Sequence, residues 1–389
     1  MLKLRRARVV ECEPAEGAPG KARTPAEQRL LVELCPGGSA RGAARRPAIC
    51  DEALVGRAEV GDEVIVNVEA LDLGLGSGGF DVVHANLTRG LQGKGEAGAH
   101  VMKLNYTSLQ HTVMPVDDER LELPLERPAA VLALHGQLAA VAWAFAERAP
   151  GAQLGYVQTE GGALPGSRSQ TVAELVGRGL LAGHITAGAS FGGEREAITC
   201  AGALHHGLRT LGWDAAICGP GPGILGSATP LGHGGMAALD SAHAALSLGC
   251  EAVVVARMSS GDERARHRPI SHHTLTVLDL LLAPVTVALP AGMRSPVGTD
   301  LRAGLGAVFG AAGTAAVELD VERPARIARH DWRRAAVDLR AFAESGLAGA
   351  TMGRGPVKDP LFFGAALAAG GVLAELIAET GEARGRGAA

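Results

Sequence analysis

The chain predicts an α/β protein: a mostly parallel, doubly wound, Rossmann-like sheet preceded by a small β-barrel or β-sandwich domain. Three observations predict it. Residues 1–115 hold short β-like runs between polar turns and lack helical periodicity. From Ala129 onward, unbroken apolar strands alternate with helical segments, the pattern of a parallel sheet covered on both faces. The composition, 47% hydrophobic and 20% charged with only 3% aromatic, requires a core of Val, Leu, Ile and Ala and excludes a disordered chain or a coiled coil.

The elements follow in order. Residues 7–11, 29–34, 63–68, 81–85 and 100–104 read as short strands, with Val64, Val66 and Val68 supplying the clearest alternation. The stretch 71–83 reads as a glycine-rich hairpin. Residues 116–128, charged and bounded by prolines, read as a linker. The α/β domain is expected over 129–320. Its strands are read at 131–134, 154–159, 184–187, 214–218, 251–257 and 285–290, and a last one at 315–320. Helices are read at 138–147, 169–177, 195–211, 236–248, 273–282 and 301–310. Residues 321–380 read as helices packing on that domain, and 381–389 as a disordered tail.

The charge balance removes whole classes of function. There are 37 basic and 41 acidic residues, net −4, so no basic excess advertises nucleic acid or an anionic membrane. The poverty of aromatics removes stacking platforms for bases as well. Only five basic residues are Lys and 32 are Arg; with the abundant Ala and Gly this is a GC-rich coding bias, which discounts Arg and Ala as functional evidence. The six cysteines form neither CxxC nor CxH spacing, so no zinc ribbon or redox dithiol is indicated, and scattered thiols suit a reducing cytoplasm. The N-terminus lacks the apolar region of a signal peptide. The apolar stretches 129–146, 275–293 and 361–374 are interrupted by polar residues, proline or glycine and read as buried elements rather than membrane spans.

In open parallel sheets, ligands bind beyond the carboxyl ends of the strands. The residues just after each predicted strand are His135–Gln137, Thr159–Gly162, Gly188–Gly193, Gly219–Gly226 and Ser259–Thr274. All are glycine-rich or His/Arg-rich, and the opposite strand ends are ordinary. This asymmetry places a ligand site at that edge, with His135, Gly161, Gly162, Gly188, Gly219, Gly221, Gly223, Gly226, His233, Arg257, Arg266 and Arg268 as binding candidates. GPGPGILG is neither a GxGxxG fingerprint nor a P-loop, so no cofactor is named. In RHRPISHHT, Ser271 reads as an N-cap, with His272 and His273 in the first turn of a helix. His267, His272, His273 and, from another strand end, Glu160 are the acid/base candidates. Adjacent histidines diverge on a helix and no carboxylate cluster flanks them, so no metal site is assigned. No GxSxG elbow is present.

Taken together, HVMKLNYTSLQH, TEGGALP, ITAGASFGG, GPGPGILGSATPLGHGG, RHRPISHHT and TMGRGPVKDPLFF resemble an uncharacterised bacterial family, a domain of unknown function, along almost the whole chain. The resemblance implies a soluble bacterial protein with a β-rich N-terminal module and an α/β domain. It transfers no activity, cofactor or catalytic residue. Glu160 stands where the family pattern leads one to expect Asp. The sequence therefore points to an enzyme for a small anionic or phosphorylated, nucleotide-like metabolite. A non-catalytic metabolite sensor or scaffold is the alternative, and a homo-oligomeric state is left open.

Overall fold

The computed structural model describes residues 1–13, 27–35, 44–74, 79–93, 95–116, 120–162, 165–227, 229–294, 324–347, 349 and 351–387. The chain divides into two units, Met1–Met114 and Pro115–Ala389.

In the first unit, β1 (Leu4–Cys12), β2 (Glu27–Leu34), β3 (Arg45–Asp51), β4 (Glu63–Asn67) and β5 (Asp81–Asn86) form a closed barrel in the order β1-β2-β3-β5-β4, with β4 pairing back to β1. Alternate residues point inward, so Ala7, Val9, Leu30, Val32, Ala48, Cys50, Val64, Val66 and Val83 make a core without aromatics. Closure removes the unpaired edges of so small a sheet. Outside this core Arg46 grips Asp81 with two hydrogen bonds, 2.6 and 2.9 Å, and reaches Asp72 at 2.6 Å. β3 escapes sequence reading because RRPAICD opens with two arginines and a proline. A two-stranded sheet, β6 (Val101–Lys103) and β7 (His111–Val113), completes the unit.

Among the described residues, the second unit is built on eight parallel strands. In chain order they are β8 (Pro128–Leu132), β9 (Leu154–Thr159), β10 (Gly183–Ala187), β11 (Arg195–Ala197), β12 (Ala215–Pro220), β13 (Glu251–Val255), β14 (Thr286–Arg294) and β15 (Asp331–Asp338). The sheet order is β11-β10-β9-β12-β8-β13-β14-β15, every pair parallel. Ala129 and Val131 face one apolar layer, Ala130 and Leu132 the other. That two-sided burial is why the strands are apolar at consecutive positions.

Numbering α-helices from the first unit, where α1 (Glu52–Val55) and α2 (Glu69–Asp72) are single turns, the second unit carries α3 (Leu138–Arg148), α4 (Gln170–Gly177), α5 (Cys200–His205), α6 (Ala237–Ser247), α7 (His272–Leu280), α8 (Pro324–Ala328), α9 (Leu339–Glu344) and α10 (Pro360–Gly387). Buried residues of α3, α4, α9 and α10 cover one face of the sheet, and those of α5, α6, α7 and α8 the other. Within α10, Pro360–Thr380 is long and apolar enough to cross a membrane, but 83% of its most apolar window is buried inside the unit. It packs on α3 so closely that a Cβ on Gly370 would lie 2.3 Å from the Val141 carbonyl.

Several expectations are corrected. The segment 321–380 is not purely helical: it contains β15, the eighth parallel strand, whose charged sequence DWRRAAVD hides a short buried alternation at Ala335 and Val337. A strand, β11, precedes the helix expected over 195–211, which begins at Cys200. Helix α10 continues through Gly387, into the segment expected to be a disordered tail. The expected linker is tied to the second unit: Leu125 is buried, and the Leu125 and Glu126 amides donate to Leu248 and Gly249. The helix read at 301–310 and the strand at 315–320 lie outside the described residues.

Candidate functional site

The strand order makes β8 the switch point. The chain moves from β8 outward to β9, β10 and β11, returns to insert β12 beside β8, then crosses to β13 on the far side of β8. The loops after β12 and β13 therefore flank the carboxyl end of β8, where such folds bind ligands. Gln137, fully buried, ties this edge together by donating to the Val255 and Ala256 carbonyls.

The loop after β13 is closed on itself. The Ser271 amide donates to the Arg257 carbonyl at 2.8 Å, and the Ser259 amide to Pro269 at 3.0 Å. Ser271 is the N-cap of α7, its hydroxyl accepting from the His273 amide, as the sequence indicates. The same hydroxyl pairs with His267 Nδ1 at 2.7 Å. His267, His272 and His273 then gather with His233 from the loop after β12. Ring centroids are 4.4 Å apart for His272 and His273, 5.1 Å for His267 with each of them, and 3.4 Å for the stacked His233 and His273. The expectation that the adjacent His272 and His273 diverge is thus corrected: at the first turn of a helix both rings fold toward the neighbouring loop.

Arg257, two residues beyond β13, is buried against this group and donates from Nη1 to His273 Nδ1 at 2.8 Å. A guanidinium has only protons to give, so neutral His273 carries its proton on Nε2. Burial, and after it the charge of Arg257, pushes His273 down to about 2. Burial with the Arg257 and Arg264 charges takes His267 to about 3, and burial with His233 and Arg266 takes His272 to about 4. His233 moves the same way, chiefly by burial. All four imidazoles are therefore neutral near pH 7, each with one acceptor nitrogen, that of His273 already taken by Arg257. Arg257 is itself lowered to about 10 by burial and by the neighbouring arginines.

Beside them lies a salt-linked frame. Asp262 accepts from Arg264 at 2.9 and 2.8 Å and from Arg354 at 3.3 Å, and the hydrogen bonds and charge of Arg264 hold its carboxyl far below the usual range. Asp359 accepts from the Ser259 hydroxyl, the Ser260 and Gly261 amides and Arg354. Arg354 thus binds protein carboxylates, and Arg266 and Arg268 are exposed at the rim. Asp262 and Asp359 carry no sequence signal of their own, since they meet across almost a hundred residues.

The other candidates sit elsewhere on the same edge. Glu160 lines a cavity of about 220 Å³ with Gly188, Cys200, Asp240 and Ser241. It is separated from the imidazoles by a contact of two glycines: a Cβ on Gly161 would lie 2.5 Å from the Gly234 carbonyl, and one on Gly234 2.1 Å from that of Gly161. Only two residues without side chains let these loops meet. His135, Gly221 and Gly223 line a second cavity of about 270 Å³ with Thr171 and Met352. Gly162 pairs with Ile224 and Gly226 with His233 in isolated bridges, and Gly219 is inside β12.

His135 belongs to a buried relay. Its Nε2 meets the Ser169 hydroxyl at 2.9 Å and its Nδ1 faces Tyr156 Oη at 3.4 Å, while Tyr156 donates to the Gly219 and Pro220 carbonyls. His184 stacks on the other side of Tyr156. Burial lowers His135 to about 4 and His184 to about 3. Both titrate near 6.5 once unfolded, so below that pH the unfolded chain binds more protons. Stability is full above pH 6.5 and falls as pH drops toward 4 and 3. We expect a lower urea midpoint at pH 5 than at pH 7, with about 2 kcal/mol of the difference from His135 alone, and a smaller drop in His184→Gln. Equal midpoints at the two pH values would contradict this account of the buried imidazoles.

Fold and edge together define a barrel-plus-parallel-sheet protein with a polar cluster at the switch point of its sheet. Residues 47–370 match the family described as "Protein of unknown function (DUF3866)", and the chain belongs to that family. No curated protein and no solved structure matches it.

Proposed function

We propose that the protein is a cytoplasmic enzyme that binds a small anionic or phosphorylated, nucleotide-like metabolite at the carboxyl edge of its parallel sheet and moves a proton with histidine. The observation that carries this reading is the convergence of four imidazoles on a buried guanidinium, with the Arg264 and Arg266 charges close by. Arg257, with Arg266 and Arg268 at the rim, meets the negative charge. One of His267, His272 and His273 takes the proton, since a neutral imidazole is the competent base and an arriving anion raises its basicity. Glu160 lines a different cavity on the same edge and is left out of this step.

The test is thermal shift and calorimetry with inorganic phosphate, a sugar phosphate and a nucleoside monophosphate. A ligand of the folded state raises the melting temperature by mass action. We expect at least one to bind, and Arg257→Gln to weaken it by about tenfold or more, the worth of a charge-assisted hydrogen bond. If none of the three shifts the wild-type protein, the anion reading fails.

A further inference from the structure

We infer that His233, His272 and His273 form a site for a divalent transition-metal ion whose open position is filled by the anion. The three residues each offer a ring nitrogen, and these nitrogens lie within 4.8 Å of one another. They come from two loops that the sheet topology brings together.

The strongest evidence is what these rings lack. His233 is only 6% exposed, yet neither of its ring nitrogens makes a well-aligned hydrogen bond among the described residues, the Pro230 backbone being close to the ring without that alignment, and His272 Nε2 is buried with no partner. A core histidine can be satisfied at both nitrogens, as His330 is, accepting from the Val285 amide through Nδ1 and meeting the Leu278 carbonyl through Nε2, although His184 Nε2 is likewise buried without a partner. Buried polar atoms without partners are rare because each costs free energy. Two neighbouring rings with that cost, and lone pairs free, are ligands waiting for an acceptor of electron pairs.

The third ligand points the same way. The lone pair of His273 Nδ1 is already aimed at a cation, the Arg257 guanidinium. Binding a metal there requires Arg257 to leave, and it has a second partner at hand: its Nη2 lies 3.8 Å from Asp262 Oδ2. Tetrahedral coordination with metal–nitrogen bonds of about 2.1 Å sets ligand nitrogens about 3.4 Å apart. The stacked rings of His233 and His273 must turn out of parallel to meet that geometry. Imidazole ligands select Zn²⁺, Co²⁺ or Ni²⁺ over Mg²⁺, Ca²⁺ and Mn²⁺, which prefer carboxylate and water.

Three neutral ligands leave the dication its full charge, beside Arg257 and within reach of Arg264 and Arg266. That repulsion makes the ion bind poorly alone and well with an anionic fourth ligand. This coupling rests on the anion reading above, whereas the triad itself does not. An anion that bridges the metal and Arg257 is held by both.

The test uses the untagged full chain and Co²⁺, whose visible absorption reports four-coordinate binding, with Mg²⁺ as comparison and phosphate as the probe anion. We expect one Co²⁺ per chain, displaced by Zn²⁺ and not by Mg²⁺, and bound at least about tenfold more tightly with phosphate. His233→Gln and the half-buried His272→Gln should each lower Co²⁺ affinity by about a hundredfold, while His100→Gln in the first unit leaves it unchanged. Unaltered melting curves for His272→Gln keep loss of metal distinct from loss of fold. No Co²⁺ binding, or equal binding by the variants, overturns the site. Phosphate binding without Co²⁺ binding overturns the metal and leaves the proposed function standing. Co²⁺ binding indifferent to phosphate overturns the coupling, and with it the anion reading if no other phosphorylated compound binds.

Discussion

Gly155→Ala is expected to destabilise the α/β unit by about 3 kcal/mol, the upper end of overpacking in a close-packed core. Trp213 is 1% exposed and lies between two glycines. A Cβ on Gly155 would sit 1.9 Å from its ring, and one on Gly207 2.3 Å from the same ring, so the indole has no free side to retreat to. Gly155 is inside β9 and cannot move without breaking register with β10 and β12. Urea unfolding should show a sharply lowered midpoint. Gly177→Ala, where a Cβ meets nothing within 4 Å at the end of α4, should leave it unchanged or raise it. Trp213→Leu in the Gly155→Ala background should recover part of the loss. A Gly155→Ala protein as stable as wild type would mean that Trp213 is not held as described.

Asp359→Ala is expected to cost about 3–5 kcal/mol, because it leaves Arg354 and three further donors facing a void. Asp359 is fully buried at the start of α10 and accepts from Ser259, Ser260, Gly261 and Arg354. It anchors the loop that carries Arg257 and His267 without being part of the imidazole group. The variant should therefore lose ligand affinity as well as stability, and the two losses should part company in Asp359→Asn, which keeps the side-chain volume and two of the acceptor contacts. Phosphate or Co²⁺ titration beside urea unfolding checks this. Unchanged binding in a destabilised Asp359→Ala protein would show that the loop holds its shape without the anchor.

The two predictions mark different depths of legibility. β9 was plain in the sequence, LGYVQT being an apolar run of strand length, and so were β8, β12, β13 and the cap at Ser271. β3, β11 and β15 were not, because an edge or barrel strand needs only one apolar face and its other positions are free to be charged. At the site, RHRPISHHT after a predicted strand was enough to nominate His267, His272 and His273. His233 could be placed on the right edge but not in the right group.

Local pattern determined the elements and the end of the sheet that holds the chemistry, since side-chain period and strand-end composition are properties of short segments. Which polar residues meet was decided by the order of strands. Inserting β12 beside β8 and then crossing to β13 swings the loops bearing His233 and His273 together over β8, and sends Glu160 behind the Gly161–Gly234 contact. The same folding brings Asp359 back to Ser259 across 100 residues. Such contacts follow from how buried faces and crossovers are satisfied across the whole unit, and no short stretch of sequence encodes them.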